Sequence, residues 1–360
     1  MKVLILTKYP RMGASSRLRT LQYLPILEQQ GFEFTVRSLF DEKYLEKLYV
    51  DGSRSRLAIS KYYFKRFLTL FSVYRYDLIW IEYELFPYLP AFAERALALI
   101  GKKYVVDYDD AIFHNYDLAN NPILRRFLAK KIDKVMANAS CVIAGNAYLA
   151  ERAQAAGAKY IEWVPTVVDR SRYMPLTKIE DNSKVIGWIG SPSTQKYIID
   201  IKEALRTVCE RHSAHLLLVG ATQDIINQLP GIQVEVAPWN EDSEAQLIQQ
   251  MDIGIMPLPD GPWEKGKCGY KLIQYMACGV PVIASPIGVN SDIINGSKCG
   301  YLADDLEQWT NFLSILLSSA EQREILGNAG RKAVEETYSL QVQIPILARI
   351  FNSIIKSDIT

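Results

Sequence analysis

Long apolar runs are missing from this chain. The opening stretch MKVLILTKYP is apolar only from Val3 to Leu6 before Lys8 and Pro10 intervene, and no later run would span a bilayer. The expectation is a cytoplasmic protein, neither exported through such a signal nor integral to a membrane. An excess of charge of one sign is missing too: 41 lysines and arginines face 40 aspartates and glutamates, a net charge of +1 over 360 residues. No global field recruits nucleic acid, so any bound anion must be held by a local site. Cysteine pairs are absent. Cys141, Cys209, Cys268, Cys278 and Cys299 are odd in number and form no C-x-x-C, which reads as reduced thiols and not a disulfide framework. Neither first strand-to-helix turn reads G-x-G-x-x-G, which argues against a dinucleotide-dependent dehydrogenase.

What is present is a regular alternation. At 49% hydrophobic and 22% charged residues the chain has an ordinary globular composition, and its length suits about two domains. Short β-branched runs at 3–7, 32–37, 78–82, 104–107 and 141–144 alternate with helical patterns near 16–30, 55–73, 88–100, 122–138 and 146–156. A second series of strands at 185–189, 215–219, 233–236, 253–256, 281–284 and 300–302 follows, and residues 305–358 are almost all helical in pattern. This predicts α/β architecture: a domain over 1–165, a linker over 166–184, a second domain over 185–338 and a terminal helix over 339–360. Each is expected to be a doubly wound, Rossmann-like parallel sheet, with ligands at the carboxyl ends of the strands.

The segment DIGIMPLPDGPWEKGKCGYKLIQYMACGVPVIASPIG (252–288) is the richest in chemistry. A strand ends at Met256, a Pro/Gly-rich loop follows, and a helix is expected to open near Lys267. Gly266 and Gly269 allow close backbone approach, and a helix N-terminus offers unpaired N–H groups to an anion. Lys267 and Lys271, four apart, would then share one face, where they oppose the helix dipole unless a diphosphate is present.

Residues 266–302 resemble the donor-binding segment of retaining GT-B glycosyltransferases of glycosyltransferase family 4. AGNAYLAERA (144–153), PTVVDRSRY (165–173), IGWIGSPST (186–194) and ASSRLRTLQYLPILEQQG (14–31) are similar to that family in the same order. The resemblance implies two facing Rossmann-like domains, an acceptor side in the first, a nucleotide-sugar side in the second, and a terminal helix that crosses back to the first. It also implies retention at the anomeric carbon and no requirement for a metal or other cofactor. In one respect the sequence departs from the family. Many members carry two glutamates around this loop; here the first falls on Gly266, with Glu264 two residues out of register, and the second on Gln274, whose amide can still bond hydroxyls.

The same resemblance extends the candidate site. On the donor side, GWIGSPSTQK (187–196) offers Gly190 and Ser191 to a phosphate, with Lys196 as a basic ligand and Thr194 as helix cap. In MGASSRLRT (12–20), Gly13 permits a tight turn toward the donor, while Arg17 and Arg19, with Glu82, are assigned to the acceptor. VVDYDDAIFHN (105–115) supplies Asp109 and Asp110 as candidates to accept a hydrogen bond from an acceptor hydroxyl or stabilise positive charge at the anomeric carbon, with His114 as a further catalytic candidate. Asp107 and Asp109 spell D-x-D, a metal signature of unrelated enzymes, and are given no such role.

The basic stretches at 53–77 (Arg54, Arg56, Lys61, Lys65, Arg66, Arg75) and 122–134 (Arg125, Arg126, Lys130, Lys131) are interleaved with aromatics and suit an anionic membrane surface. The expected activity is transfer of a sugar from a UDP- or GDP-sugar to a hydroxyl of a glycan or lipid-linked glycan, as in polysaccharide or lipopolysaccharide assembly at the inner face of the plasma membrane. The alternatives are a sugar-nucleotide epimerase of similar fold and a non-catalytic sugar-nucleotide-binding scaffold.

Overall fold

The computed structural model describes residues 1–51, 56–176 and 184–356, with the side chains of 48–51 and 56 outside that description. The chain divides into two compact units. Unit 1 comprises Met1–Thr166 with Gly266–Cys268 and Gln343–Thr360; unit 2 comprises Val167–Lys265 and Gly269–Val342.

Unit 1 holds a parallel sheet of six strands: β1 (Lys2–Leu6), β2 (Glu33–Val36), β3 (Leu78–Glu82), β4 (Tyr104–Tyr108), β5 (Cys141–Ala144) and β6 (Ile161–Trp163), in the order β2-β1-β3-β4-β5-β6. The central strands read LIWIE, YVVDY and CVIA and are buried along their whole length, as a sheet covered on both faces requires. Unit 2 repeats the plan with β7 (Lys184–Ile189), β8 (Ala214–Val219), β9 (Val234–Ala237), β10 (Ile253–Met256), β11 (Val282–Ala284) and β12 (Gly300–Leu302), ordered β12-β11-β10-β7-β8-β9. The strand order reverses between β1 and β3 in unit 1 and between β7 and β10 in unit 2. Such switch points open a crevice at the strands' carboxyl ends.

Most strand positions follow the sequence pattern, and the differences have local causes. The helix expected over 16–30 is three pieces: a π-helical turn Ser16–Thr20, a 3₁₀ turn Leu21–Tyr23 and an α-helix Leu24–Gln29 with proline in its first turn. Pro25 has no N–H to continue a ladder backward, and Ser16 and Arg19 are drawn to carboxylates of the sheet instead. The helix expected over 122–138 breaks into Pro122–Leu128, capped by Asn121, and Lys131–Asn138. The helix Glu42–Asp51 and strand β6 are additions that the sequence pattern missed.

The expected linker 166–184 is not a separate connection over its described part. Val168 and Tyr173 are buried in the core of unit 2, and Val168 pairs its backbone with Tyr338 and Leu340. Residues 177–183 lie outside the described residues. The terminal helix Leu340–Lys356 contributes its later part to unit 1, where Phe351 packs edge-on to Trp80 (5.1 Å) and Phe32 (6.1 Å) and Lys103 Nζ donates to the Ile354 carbonyl at 2.6 Å.

Candidate functional site

In unit 1 three carboxylates end neighbouring strands, and the loop after β1 meets them. Glu82, the last residue of β3, is buried and accepts from the Ser16 hydroxyl at 2.6 Å and the Lys8 amide at 3.0 Å. Burial outweighs these bonds and raises its pKa to about 7. Asp107, in β4, is equally buried and pairs with Arg19 Nε at 2.8 Å; burial still lifts it to about 6 against the pull of the guanidinium. Arg19 also donates to the Val164 carbonyl at 2.8 Å. Asp109, partly open, accepts from the Tyr83 hydroxyl, which itself lies 2.9 Å from Ser15 Oγ. Tyr83 has a left-handed backbone (φ 63°), a cost of about 1–3 kcal/mol for a non-glycine residue that turns its ring back over the end of the sheet.

These contacts revise the acceptor assignments. Arg19 and Glu82 are closed into the fold, and Arg17, also buried, donates to the Arg11 carbonyl at 3.2 Å. None of the three presents an open charged group: the π-helical turn buries Arg17 and Arg19, and Glu82 ends a fully buried strand. His114 is held at both ring nitrogens, by Asp117 at 2.8 Å and Tyr148 at 2.9 Å, and stacks edge-on to Phe113. That arrangement suits packing and leaves no ring nitrogen for a reacting proton. Asp109 and Asp110 are the candidates that remain partly exposed at this edge. Gly13 is buried in the loop after β1, where a Cβ would lie 2.6 Å from Tyr9 Cβ.

Gly266–Cys268 belongs to this unit through specific packing. Asn146, which caps the helix Ala147–Ala155 through the Leu149 amide, donates to the Lys267 carbonyl at 2.9 Å. A Cβ on Gly145 would lie 2.4 Å from Cys268 Sγ, and one on Gly266 would lie 2.7 Å from the Ala111 amide nitrogen. Gly266, the position onto which the resemblance would place a first glutamate, therefore sits where this backbone admits no side chain.

In unit 2 the helix opens at Tyr270, not Lys267; Gly269 precedes it with φ 66°, and a Cβ there would strike Ile293. Lys267 lies in the loop, so Lys267 and Lys271 do not share a helix face. Lys271, second residue of the helix, holds its ammonium 4.9 Å from the Trp188 ring centroid. The same indole explains Gly190, where a Cβ would come within 2.3 Å of it. Ser191, at the switch point, is exposed and bonds Ser193 Oγ at 2.9 Å; the Thr194 hydroxyl turns back to the Ser191 carbonyl and is not the helix cap. Lys196 is exposed above its neighbour Tyr197. Gln274 is buried and donates to the Tyr173 hydroxyl at 3.1 Å, in a network where Tyr173 and Trp239 both donate to Glu244. It is thus an interior residue, closed to a ribose in this structure. Glu264 accepts from the Tyr197 hydroxyl at 2.6 Å. No sequence signal pointed to Tyr83, Trp188 or the Asn146 contact, all of which depend on residues distant in the chain.

Two six-stranded parallel sheets in these orders are the GT-B architecture of glycosyltransferases. The family whose model matches is described as Glycosyl transferases group 1, over residues 183–319. A curated relative, N-acetyl-alpha-D-glucosaminyl L-malate synthase of Bacillus anthracis, is 23% identical over 188 residues, 50% of this chain and 48% of that enzyme. The match thus spans about half the relative's length. Among solved structures, sucrose-phosphate synthase from Thermosynechococcus elongatus superposes with a TM-score of 0.73 at 14% identity, covering 99% of this chain and 100% of that one. HepE of Anabaena, solved with UDP-glucose, gives 0.69 at 16% identity, covering 98% and 100%.

Proposed function

We propose that this chain transfers a glycosyl group from a nucleoside-diphosphate sugar to a hydroxyl of a glycan or lipid-linked glycan, with retention at the anomeric carbon and without a metal. The observation that carries the reading is the segment 183–319, which matches the group 1 family and contains Gly190, Ser191 and Lys271 around the switch point of unit 2. Uridine is the first base to test, since HepE was solved with UDP-glucose. Lys271 and the backbone at Gly190 and Gly269 hold the diphosphate, with Ser191 and Lys196 as its further polar contacts. Lys271 also stabilises charge on the leaving group as the glycosidic bond breaks.

Asp109, aligned by the Tyr83 hydroxyl, and Asp110 act at the reacting centre. In a transfer assay Asp109→Asn lowers kcat by about 10²-fold or more while the donor Kd stays within about twofold, because the interaction is made mainly in the transition state. The rate is unchanged by a chelator. Turnover that requires a divalent ion would refute the metal-free mechanism, and release of nucleoside diphosphate without any acceptor dependence would refute transfer. The basic, aromatic helix Arg56–Leu70 brings the enzyme to anionic membrane, where lipid-linked acceptors reside.

A further inference from the structure

The helix Arg56–Leu70 carries a further feature, at the end of β2, that donor binding does not use. Between it and the end of β2 lies a cavity of about 230 Å³, lined by Arg37 and Ser38 from the strand end and by Tyr62, Lys65, Arg66 and Thr69 from the helix. The four helical residues fall at i, i+3, i+4 and i+7, one face of the helix. With Val36 the lining comprises seven residues, of which three are cations and none is an acid.

Arg66 is the centre of the argument. It is only 3% exposed, and one terminal nitrogen donates to the carbonyls of Thr7 at 2.6 Å and Arg37 at 3.0 Å. Carbonyls are neutral acceptors and leave its charge uncompensated. Among the described residues no carboxylate pairs with Arg66, whereas buried arginines ordinarily have such a partner. Burial lowers its pKa to about 10, against the weaker attraction of Glu82, Glu94 and Tyr63. Arg37 and Lys65 are exposed beside it and also lack a carboxylate partner among the described residues. The Tyr62 hydroxyl is committed to Asp41, which does not line the cavity, and the Thr69 hydroxyl to the Lys65 carbonyl. The donors left for a ligand are the ammonium of Lys65, two guanidinium groups and the Ser38 hydroxyl.

We propose that this cavity binds a phosphoryl oxyanion, a phosphate or diphosphate group. A compact anion with several acceptor oxygens satisfies guanidinium forks and an ammonium together and supplies the counter-charge that Arg66 lacks. The oxyanion arrives either free or as a lipid headgroup, the second because the same helix exposes Phe64, Phe67 and Leu68, with Phe71 exposed just beyond its end. No residue assigned to the donor or to the reaction takes part, so the site stands or falls separately from glycosyl transfer.

The test uses the full-length protein carrying Lys271→Ala, so that the proposed diphosphate ligand of unit 2 does not supply the signal. Calorimetric titration with inorganic pyrophosphate is compared with and without Arg37→Ala/Lys65→Ala, both at exposed positions that spare the fold. A second arm measures cosedimentation with phosphatidylcholine vesicles doped with phosphatidate or, at equal surface charge, phosphatidylserine. The pocket predicts at least a tenfold loss of pyrophosphate affinity in the double variant, identifying a free oxyanion, or loss of a preference for phosphatidate over phosphatidylserine, identifying a headgroup. If neither the pyrophosphate affinity nor the phosphatidate preference responds to the double substitution, the proposal is wrong.

Discussion

Lys271 sits under two opposing influences. A cation in the first turn of the helix Tyr270–Ala277 opposes the dipole by about 0.3–1 kcal/mol, and its contact with Trp188 returns about 0.5–1 kcal/mol. Lys271→Ala should therefore leave apo stability within about 0.5 kcal/mol of the parent. A bond to a charged group contributes roughly 1.5–3 kcal/mol, so nucleoside-diphosphate affinity should fall about 10- to 100-fold. Calorimetry beside a urea curve checks both halves, and unaltered affinity would remove the helix from the donor site. Glu82 supplies a pH signature. Its folded pKa lies near 7 against an ordinary 4.5, so across that window the folded state holds more proton than the unfolded one, and stability declines as pH rises through it. Asp107, raised to about 6, adds a decline of the same sign. Glu82→Gln keeps an acceptor for Ser16 and Lys8 and removes the buried charge. It should gain roughly 2–3 kcal/mol relative to wild type between pH 5 and pH 8. Denaturation midpoints at the two pH values decide it, and a pH-independent difference would show that Glu82 does not titrate in this window.

At the scale of elements, the helix Arg56–Leu70 separates its residues by depth. Lys61, Lys65, Phe64, Phe67, Leu68 and, beyond its end, Phe71 are exposed, while Arg66 is interior. Arg66 therefore drops out of the basic face expected from sequence, as does Lys131, which pairs with Glu84 in the core. Arg54 lies outside the described residues. On the second basic helix Arg125 and Arg126 are exposed with Ile123 and Phe127. Each well-placed cation contributes about 1 kcal/mol near an anionic surface, so Lys61→Glu/Lys65→Glu should weaken cosedimentation with anionic vesicles by at least tenfold and blunt its salt dependence. Equal partition of the wild type between neutral and anionic vesicles would defeat membrane docking.

For the whole molecule, two compact units with separate sheets imply that a ligand carried by one unit protects that unit first. A nucleotide at 100 times its Kd stabilises the state it binds by about 2.7 kcal/mol. Screening sugar nucleotides by thermal shift finds the base and sugar, and hydrogen exchange should then show the largest gain in protection at β7, β10 and β11. Equal protection of β1, β3 and β4 would contradict a donor site carried by unit 2.

The order of strands along the chain was legible because buried parallel strands read as unbroken apolar runs, as in LIWIE and CVIA, and the pattern changes where helices begin. The glycines of the candidate loops were legible as well, since glycine adopts the left-handed backbone of Gly269 without strain and brings no Cβ against Ile293. Burial of polar side chains was not. Arg17, Arg19, Glu82, Arg66 and Gln274 read as surface or ligand-facing groups, and all lie inside the fold. Apart from Arg17, which bonds the nearby Arg11 carbonyl, their partners, from Thr7 to Tyr173, stand tens of residues away along the chain. A charged side chain enters a core only when a distant residue compensates or requires it, and sequence spacing carries no record of that distance. The sequence by itself determined two parallel α/β sheets and the loops at their carboxyl ends; the tertiary structure alone decided which charged groups remain open to a ligand, because that depends on contacts between segments that only folding brings together.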